Sequence, residues 1–256
     1  MSARTGLSAC IITLNEADRI DACLESLAFC DEIIVVDSGS SDDTRERAQA
    51  HGARVSVRAF DGYRSQKAHA VGLATYDWVL CLDADERVGA KLRDEIERER
   101  DAGFARAAGY RFPRATEYFG AYLRHGNAYP DRVMRLFDRR RGGWRGDREI
   151  HEHASVDGTI VNLRGDLLHQ AYRSLSDHLD RLERYARMMA LHMHAQGRRA
   201  HFVNFVANPF WRFLRGYVLR LGFLDGWRGF VYASIKSNYV RQKFFKLWLL
   251  NRGYPI

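Results

Sequence analysis

Four strand-patterned runs, three of them apolar, separated by helix-patterned stretches within the first ninety residues, constrain the fold of this chain more than any other feature. Residues 7–14 (LSACIITL) have the unbroken apolarity of a strand covered on both faces. Residues 17–29 then place Ile20, Leu24, Leu27 and Ala28 at helical spacing. Residues 32–36 (EIIVV) read as a second buried strand, 43–51 as a helix stopped by Gly52, and 54–57 as a short third strand. Residues 64–74 read as a helix, 77–82 (DWVLCL) as a fourth strand, and 91–100 as a charged surface helix. Strand and helix alternating at these intervals predict an α/β fold with a mainly parallel sheet and crossover helices. Ligands of such sheets bind beyond the carboxyl ends of the strands.

Two of those ends carry acids. The second strand closes on Val35-Val36-Asp37, and the run Ser38-Gly39-Ser40-Ser41-Asp42-Asp43-Thr44 follows. That run also reads as a helix N-cap, with Ser41 or Asp42 in the capping role. The fourth strand closes on Leu82-Asp83-Ala84-Asp85. Two carboxylates two residues apart on a turning strand end can face one point. Mg²⁺ and Mn²⁺ take oxygen ligands of this kind, completed by substrate phosphates. A metal there would neutralise a diphosphate leaving group. Motifs for rival chemistries are missing: there is no GxGxxG after the first strand, no GxxxxGK[ST] and no GxSxG.

The segments SACIITLNEADRIDACLESL, EIIVVDSGSSDDT and GYRSQKAHAVGLATYDWVLCLDADERV resemble the family 2 glycosyltransferases of GT-A fold. Within that family they most resemble enzymes that glucosylate the inner core of bacterial lipopolysaccharide. The likeness is specific from residue 7 to about 90 and looser through His151-Glu152 into the tail. It implies a GT-A, Rossmann-like sheet with flanking helices. It also implies that Thr13, Leu14, Asn15 and Glu16 line a nucleotide pocket, that Asp37 contacts uridine, and that Gln66 and Lys67 border base and phosphates. Asp83, Ala84 and Asp85 would then form the DxD that holds a divalent metal on a UDP-sugar. The implied acceptor is a glycan or glycolipid hydroxyl.

Inverting transfer needs a general base for that hydroxyl. Asp131, Asp147, Glu149 and Glu152 are the candidates beyond the DxD, and Glu152, set between two histidines in GDREIHEHA, is the expected one. His151, His153 and His169 are candidates for a further metal or phosphate contact, although a lone histidine is more often structural. Arg132 and Arg135 are candidates for phosphate, with at least one expected on the surface because strand neighbours alternate faces.

Past residue 109 the pattern loosens, with strands expected at 110–112, 133–137 and 160–163. An amphipathic helix is expected over 175–193, its apolar face formed by Leu175, Leu179, Leu182, Tyr185, Met189 and His192. Asn208-Pro209 is expected to break the chain. Residues 201–256 hold nine Lys/Arg against Asp225 alone, which accounts for the whole net charge of +8, and 15 of the 31 aromatic residues. Basic helices rich in Trp and Phe lie in anionic membrane interfaces. The expected organisation is therefore a transferase domain over 1–200 and a basic aromatic helical extension over 201–256. The extension either docks on the inner membrane face or packs on the body.

Basic and aromatic residues also suit nucleic acid, but no accompanying motif supports that, so no nucleic-acid partner is expected. Residues 1–6 are polar with no apolar h-region after them, no apolar stretch reaches spanning length, and the four cysteines form no CxxC pair. A cytoplasmic, membrane-peripheral enzyme with reduced thiols is expected. Two alternatives remain at this level: a sugar-nucleotide nucleotidyltransferase, which lacks its Gly-rich basic loop here, and a non-catalytic membrane scaffold with a degenerate transferase fold.

Overall fold

The computed structural model describes residues 4–145 and 153–256. They form two compact units, one drawn from Met1–Arg114 and Asp131–His169, the other from Ala115–Pro130 and Gln170–Ile256. This division by compactness runs differently from the expected 1–200 and 201–256, because the helix after residue 174 and the excursion 115–130 go with the C-terminal helices.

The first unit begins with β1 (Leu7–Thr13), α1 (Ile20–Glu25), β2 (Glu32–Asp37), α2 (Thr44–Ala50) and β3 (Arg54–Val57). It continues with α3 (Tyr63–Gly72), β4 (Trp78–Asp83), β5 (Glu86–Val88), α4 (Ala90–Asp101) and β6 (Gly109–Tyr118), the end of which, from residue 115, belongs to the second unit. After β7 (Ala121–Tyr122), in the second unit, come β8 (Asp131–Asp138), β9 (Gly142–Arg145), β10 (His153–Val156), β11 (Ile160–Asn162) and β12 (Leu167–His169). The sheet order is β3-β2-β1-β4-β8-β6-β12-β5. The first four strands are parallel, and β8 opens the antiparallel half against β4.

All seven residues of β1 are buried, as its unbroken apolarity predicts. Leu7, Ala9 and Ile11 pack with Ile20, Leu24 and Ile96 on one face. Cys10 and Ile12 pack with Val71, Met134 and Trp144 on the other. Each large side chain buried there contributes about 1.5–3 kcal/mol. Gly52, at φ 77°, is the left-handed residue that ends α2. The cysteines are unpaired thiols, three of them buried.

The second unit contains α5 (Leu175–Ala195), α6 (Asn204–Phe213), a π-helical turn (Leu214–Leu219), a 3₁₀ turn (Gly222–Asp225) and α7 (Gly226–Leu250). Two expectations are corrected here. Pro209 does not break the chain before the aromatic tail but lies buried inside α6. The lost N–H costs one backbone bond, and the rest of the helix is retained by packing against α7. In α5 the buried stripe is His178, Leu182, Ala186, Ala190 and Met193, while Leu175, Leu179 and Tyr185 are exposed. Small residues at 186 and 190 let α7 approach closely, so packing space overrode side-chain size. No helix among the described residues is long and apolar enough to cross a membrane.

Candidate active site

The parallel register brings the strand-end acids level. Thr13 pairs with Asp37 across β1 and β2, and Ile12 pairs with Asp83 across β1 and β4. Both acids therefore open on one sheet edge, with the β1–α1 loop between them.

Asp37 is fully buried. Its Oδ1 accepts the N–H groups of Gly39 (3.0 Å) and Ser40 (2.8 Å), and its Oδ2 accepts the Ser40 hydroxyl. The Ser40 hydroxyl oxygen in turn accepts the Asn15 N–H at 2.9 Å, and Asn15 Oδ1 accepts the Ser41 N–H at 2.8 Å. Asn15 sits at φ 54°, in the left-handed region that asparagine tolerates. Glu16 and Ala17 donate their N–H groups to Thr44 Oγ1 and Asp42 Oδ2 at 2.9 and 3.2 Å. The loops after β1 and β2 are thus stapled together by the Ser/Asp run, which does more than cap α2. Leu14 is exposed at the rim. Thr13 Oγ1 is buried with no hydrogen-bond partner among the described residues.

Gln66 and Lys67, on α3, are both buried. Gln66 Nε2 donates to Ser38 Oγ at 3.0 Å and to the Arg58 carbonyl at 3.1 Å. Lys67 turns the other way, with Nζ 3.0 Å from Asp83 Oδ1. Asp83 Oδ2 accepts from Arg135 at 2.7 Å. Burial alone would raise the Asp83 carboxyl, but Arg135 and Lys67 outweigh it and hold the group well below the usual carboxylate range. Arg135 also donates to Glu86, at 3.0 Å. The fully buried Glu86 accepts further from Arg114 (3.1 Å) and from the Asp83 N–H (3.0 Å). Trp144, on β9, lies under two of these cations, its ring 4.7 Å from Lys67 Nζ and 5.5 Å from the Arg135 guanidinium. Ala84 is buried and carries the chain between the two aspartates.

Asp85 faces a different partner. His169 Nε2 is 3.5 Å from Asp85 Oδ2, and Arg19 is 3.9 Å from the same oxygen. Burial would raise this carboxyl too, and the contacts with His169 and Arg19 bring it below the ordinary range. Asp85 Oδ1 is buried with no hydrogen-bond partner among the described residues. The antiparallel pairing of β12 on β5, with His169 opposite Glu86, carries the imidazole to the DxD.

An unpartnered carboxylate oxygen beside an imidazole fits a divalent cation, Mn²⁺ better than Mg²⁺ given the nitrogen donor. Among the described residues there is no cluster of three or more such ligands, so phosphates and water would complete the shell.

The other candidates separate. Arg132 is exposed and donates to the Leu163 carbonyl, while Arg135 is buried in the site, so one arginine of the pair is indeed superficial. Asp131 is held by Arg114 at 2.7 Å. His153 is exposed on β10, paired with Arg145 of β9. Asp147, Glu149, His151 and Glu152 lie outside the described residues. Glu86, Arg114, Trp144 and Arg19 were not anticipated. For Glu86 the available signal was an acid one residue beyond the DxD in Asp-Ala-Asp-Glu.

Residues 8–157 match the family model described as Glycosyl transferase family 2. The chain belongs to the family 2 glycosyltransferases. This glycosyltransferase is 30% identical to the lipopolysaccharide core biosynthesis glycosyltransferase LpsC of Rhizobium meliloti (strain 1021), over 95% of this chain and 94% of that one. It is likewise 30% identical to the uncharacterized glycosyltransferase RP128 of Rickettsia prowazekii (strain Madrid E), over 90% of this chain and 82% of that one.

Among solved structures, a partial likeness joins it to glucosyl-3-phosphoglycerate synthase from Mycobacterium tuberculosis, in complex with Mn²⁺, UDP and glucosyl-3-phosphoglycerate. The identity is 33% with a TM-score of 0.30, covering 33% of this chain and 35% of that chain. The S. aureus TarS structure is 15% identical with a TM-score of 0.46, covering 72% of this chain and 40% of that chain. This chain therefore matches well under half the length of either solved protein.

Proposed function

We propose that this glycosyltransferase moves a hexose, glucose in the expected case, from a UDP-sugar to a hydroxyl of a glycolipid or glycan acceptor such as the lipopolysaccharide inner core. The observation that carries the reading is Asp85, with its unpartnered oxygen and its histidine neighbour, on the same strand-end edge as Asp37. The core-biosynthesis role in the name of the Rhizobium relative supports the acceptor class.

In this reading the β1–α1 loop, from Thr13 to Glu16, and the Asp37 loop hold the nucleoside, with Gln66 fixing the loop through Ser38. Asp85, with His169, would hold the divalent metal in the DxD formed with Asp83. The metal, when bound, supplies positive charge to the diphosphate as it departs. Lys67 and Arg135 would exchange Asp83 for diphosphate oxygens, adding two further cations where negative charge develops. Glu152 takes the proton from the acceptor hydroxyl as it attacks the anomeric carbon from the face opposite the diphosphate, so the product is inverted. Residues 1–200 form the transferase portion. Residues 201–256 hold the enzyme at the inner face of the cytoplasmic membrane, where a lipid-linked acceptor is presented.

The test is donor hydrolysis and transfer with a set of UDP-sugars, with and without Mn²⁺, on the wild-type chain and Asp85→Ala. Metal-dependent turnover that falls by about two orders of magnitude or more in the variant is expected. Turnover that is unchanged in Asp85→Ala refutes the metal assignment.

A further inference from the structure

Within the second unit, the turn that joins the π-helical segment to α7 has an inside-out composition. Its inner side is glycine. A Cβ on Gly222 would stand 2.6 Å from the Gly216 carbonyl oxygen, and one on Gly229 would stand 1.9 Å from the Gly222 carbonyl oxygen. Backbone thus packs on backbone, and no room is left there for a side chain. The large apolar residues of the same turn all face solvent. Leu219 is 60% exposed, Leu224 56% and Trp227 56%, with Leu221 and Phe223 exposed beside them.

The turn is also anchored. Asp225 accepts the N–H groups of Arg124 (3.1 Å) and His125 (3.0 Å) and meets His125 Nδ1 at 2.9 Å. Leu221 is held at φ 59°, a left-handed conformation unusual for leucine. Arg228 lies 4.7 Å over the Trp227 ring, Arg215 and Arg220 are exposed in the stretch that leads into the turn, and Asp225, the acid of the 201–256 segment, is spent on the anchor. An exposed, rigidly presented apolar cluster flanked by cations complements an anionic bilayer surface: the side chains enter the acyl boundary and the guanidinium groups meet phosphate.

We infer that this turn, from Val218 to Trp227, is the element that inserts into an anionic phospholipid surface, with Leu221, Phe223, Leu224 and Trp227 entering the interface and Arg215, Arg220 and Arg228 contacting headgroup phosphates. The inference rests on the membrane-docking reading and narrows it from a 56-residue segment to one turn.

The test uses the full chain. Sedimentation with vesicles of phosphatidylcholine and phosphatidylglycerol in equal parts is compared with pure phosphatidylcholine. The variants are Phe223→Ser/Leu224→Ser in the turn and Phe202→Ser, an even more exposed aromatic outside it. All three side chains are exposed, so thermal stability and donor hydrolysis should stay at wild-type level. Partitioning onto the mixed vesicles is expected to fall about ten-fold or more in the turn variant and little in Phe202→Ser. Bromine-labelled lipid is expected to quench the wild-type tryptophan fluorescence, and that quenching should diminish in Trp227→Phe. Partitioning unchanged in the turn variant but lost in Phe202→Ser overturns the assignment to this turn and leaves membrane docking standing. No partitioning of the wild type overturns docking itself. A turn variant that shifts from dimer to monomer, with vesicle binding unaltered, makes the turn a protein-contact surface and overturns the inference as well.

Discussion

His178 offers a stability measurement whose size follows from its surroundings. It is fully buried in the second unit, stacked on Tyr172 at a centroid distance of 3.8 Å and 3.1 Å from the Tyr118 hydroxyl through Nδ1. Its Nε2 is buried without a hydrogen-bond partner among the described residues. Burial and Lys236 push the imidazole down from 6.5 to about 3, and Arg181 adds to this while Asp177 opposes it. A histidine with a depressed native value stays neutral in the fold and charges when the chain unfolds. Stability is therefore full above the unfolded value and falls as pH drops from about 6.5 toward 3. At pH 5 the unfolded chain gains about 2 kcal/mol over the folded one from this residue, and at pH 4 about 3 kcal/mol. With a urea slope near 2 kcal/mol/M, the midpoint should drop by about 1 M between pH 7 and pH 5. His178→Phe keeps a ring against Tyr172 and removes the proton site. It strands the Tyr118 hydroxyl at a roughly pH-independent cost of about 1–3 kcal/mol. The variant should thus be less stable at pH 7 yet lose about 2 kcal/mol less than wild type on going to pH 5. Parallel curves for the two proteins, followed by circular dichroism in urea, would refute this account of the buried imidazole.

Three further outcomes are expected. Glu86→Gln leaves the buried guanidinium of Arg135 with only Asp83 as counter-charge and should destabilise the first unit by about 3–5 kcal/mol, read as a lowered thermal midpoint in calorimetry. Trp144→Ala removes the ring shared by Lys67 and Arg135; a contact of about 0.5–2 kcal/mol predicts a donor KM raised roughly 2- to 30-fold, partly restored in Trp144→Phe, by steady-state kinetics. Glu152→Gln should lower kcat for transfer by about two to four orders of magnitude while calorimetric UDP affinity stays unchanged, and equal losses in both would remove Glu152 from the base role.

Much of the parallel half was legible in the chain. β1, β2 and β4 appear where unbroken apolar runs predict them, and β3 has the expected span. Placing Asp37 and Asp83 on one edge needed only the rule that parallel strands end together. The helical segments were found with blurred ends: α3 runs Tyr63–Gly72 against an expected 64–74, and α1 covers only Ile20–Glu25 of 17–29. Their apolar spacing marks a face, not a terminus.

The sequence by itself determined the α/β pattern, the acids at the strand ends and the concentration of charge and aromatic residues after residue 200, because each is a local property of neighbouring side chains. Only the tertiary structure decided that His169 meets Asp85, that Glu86 and Arg114 complete the ion network around Arg135, and that glycines turn the apolar residues of 218–227 outward. Those contacts join residues up to 84 positions apart, through the β5–β12 pairing or through backbone approach between helices. Such closures depend on how whole elements fill space, and hydrophobic periodicity, which senses the next turn or the next pleat, carries no record of them.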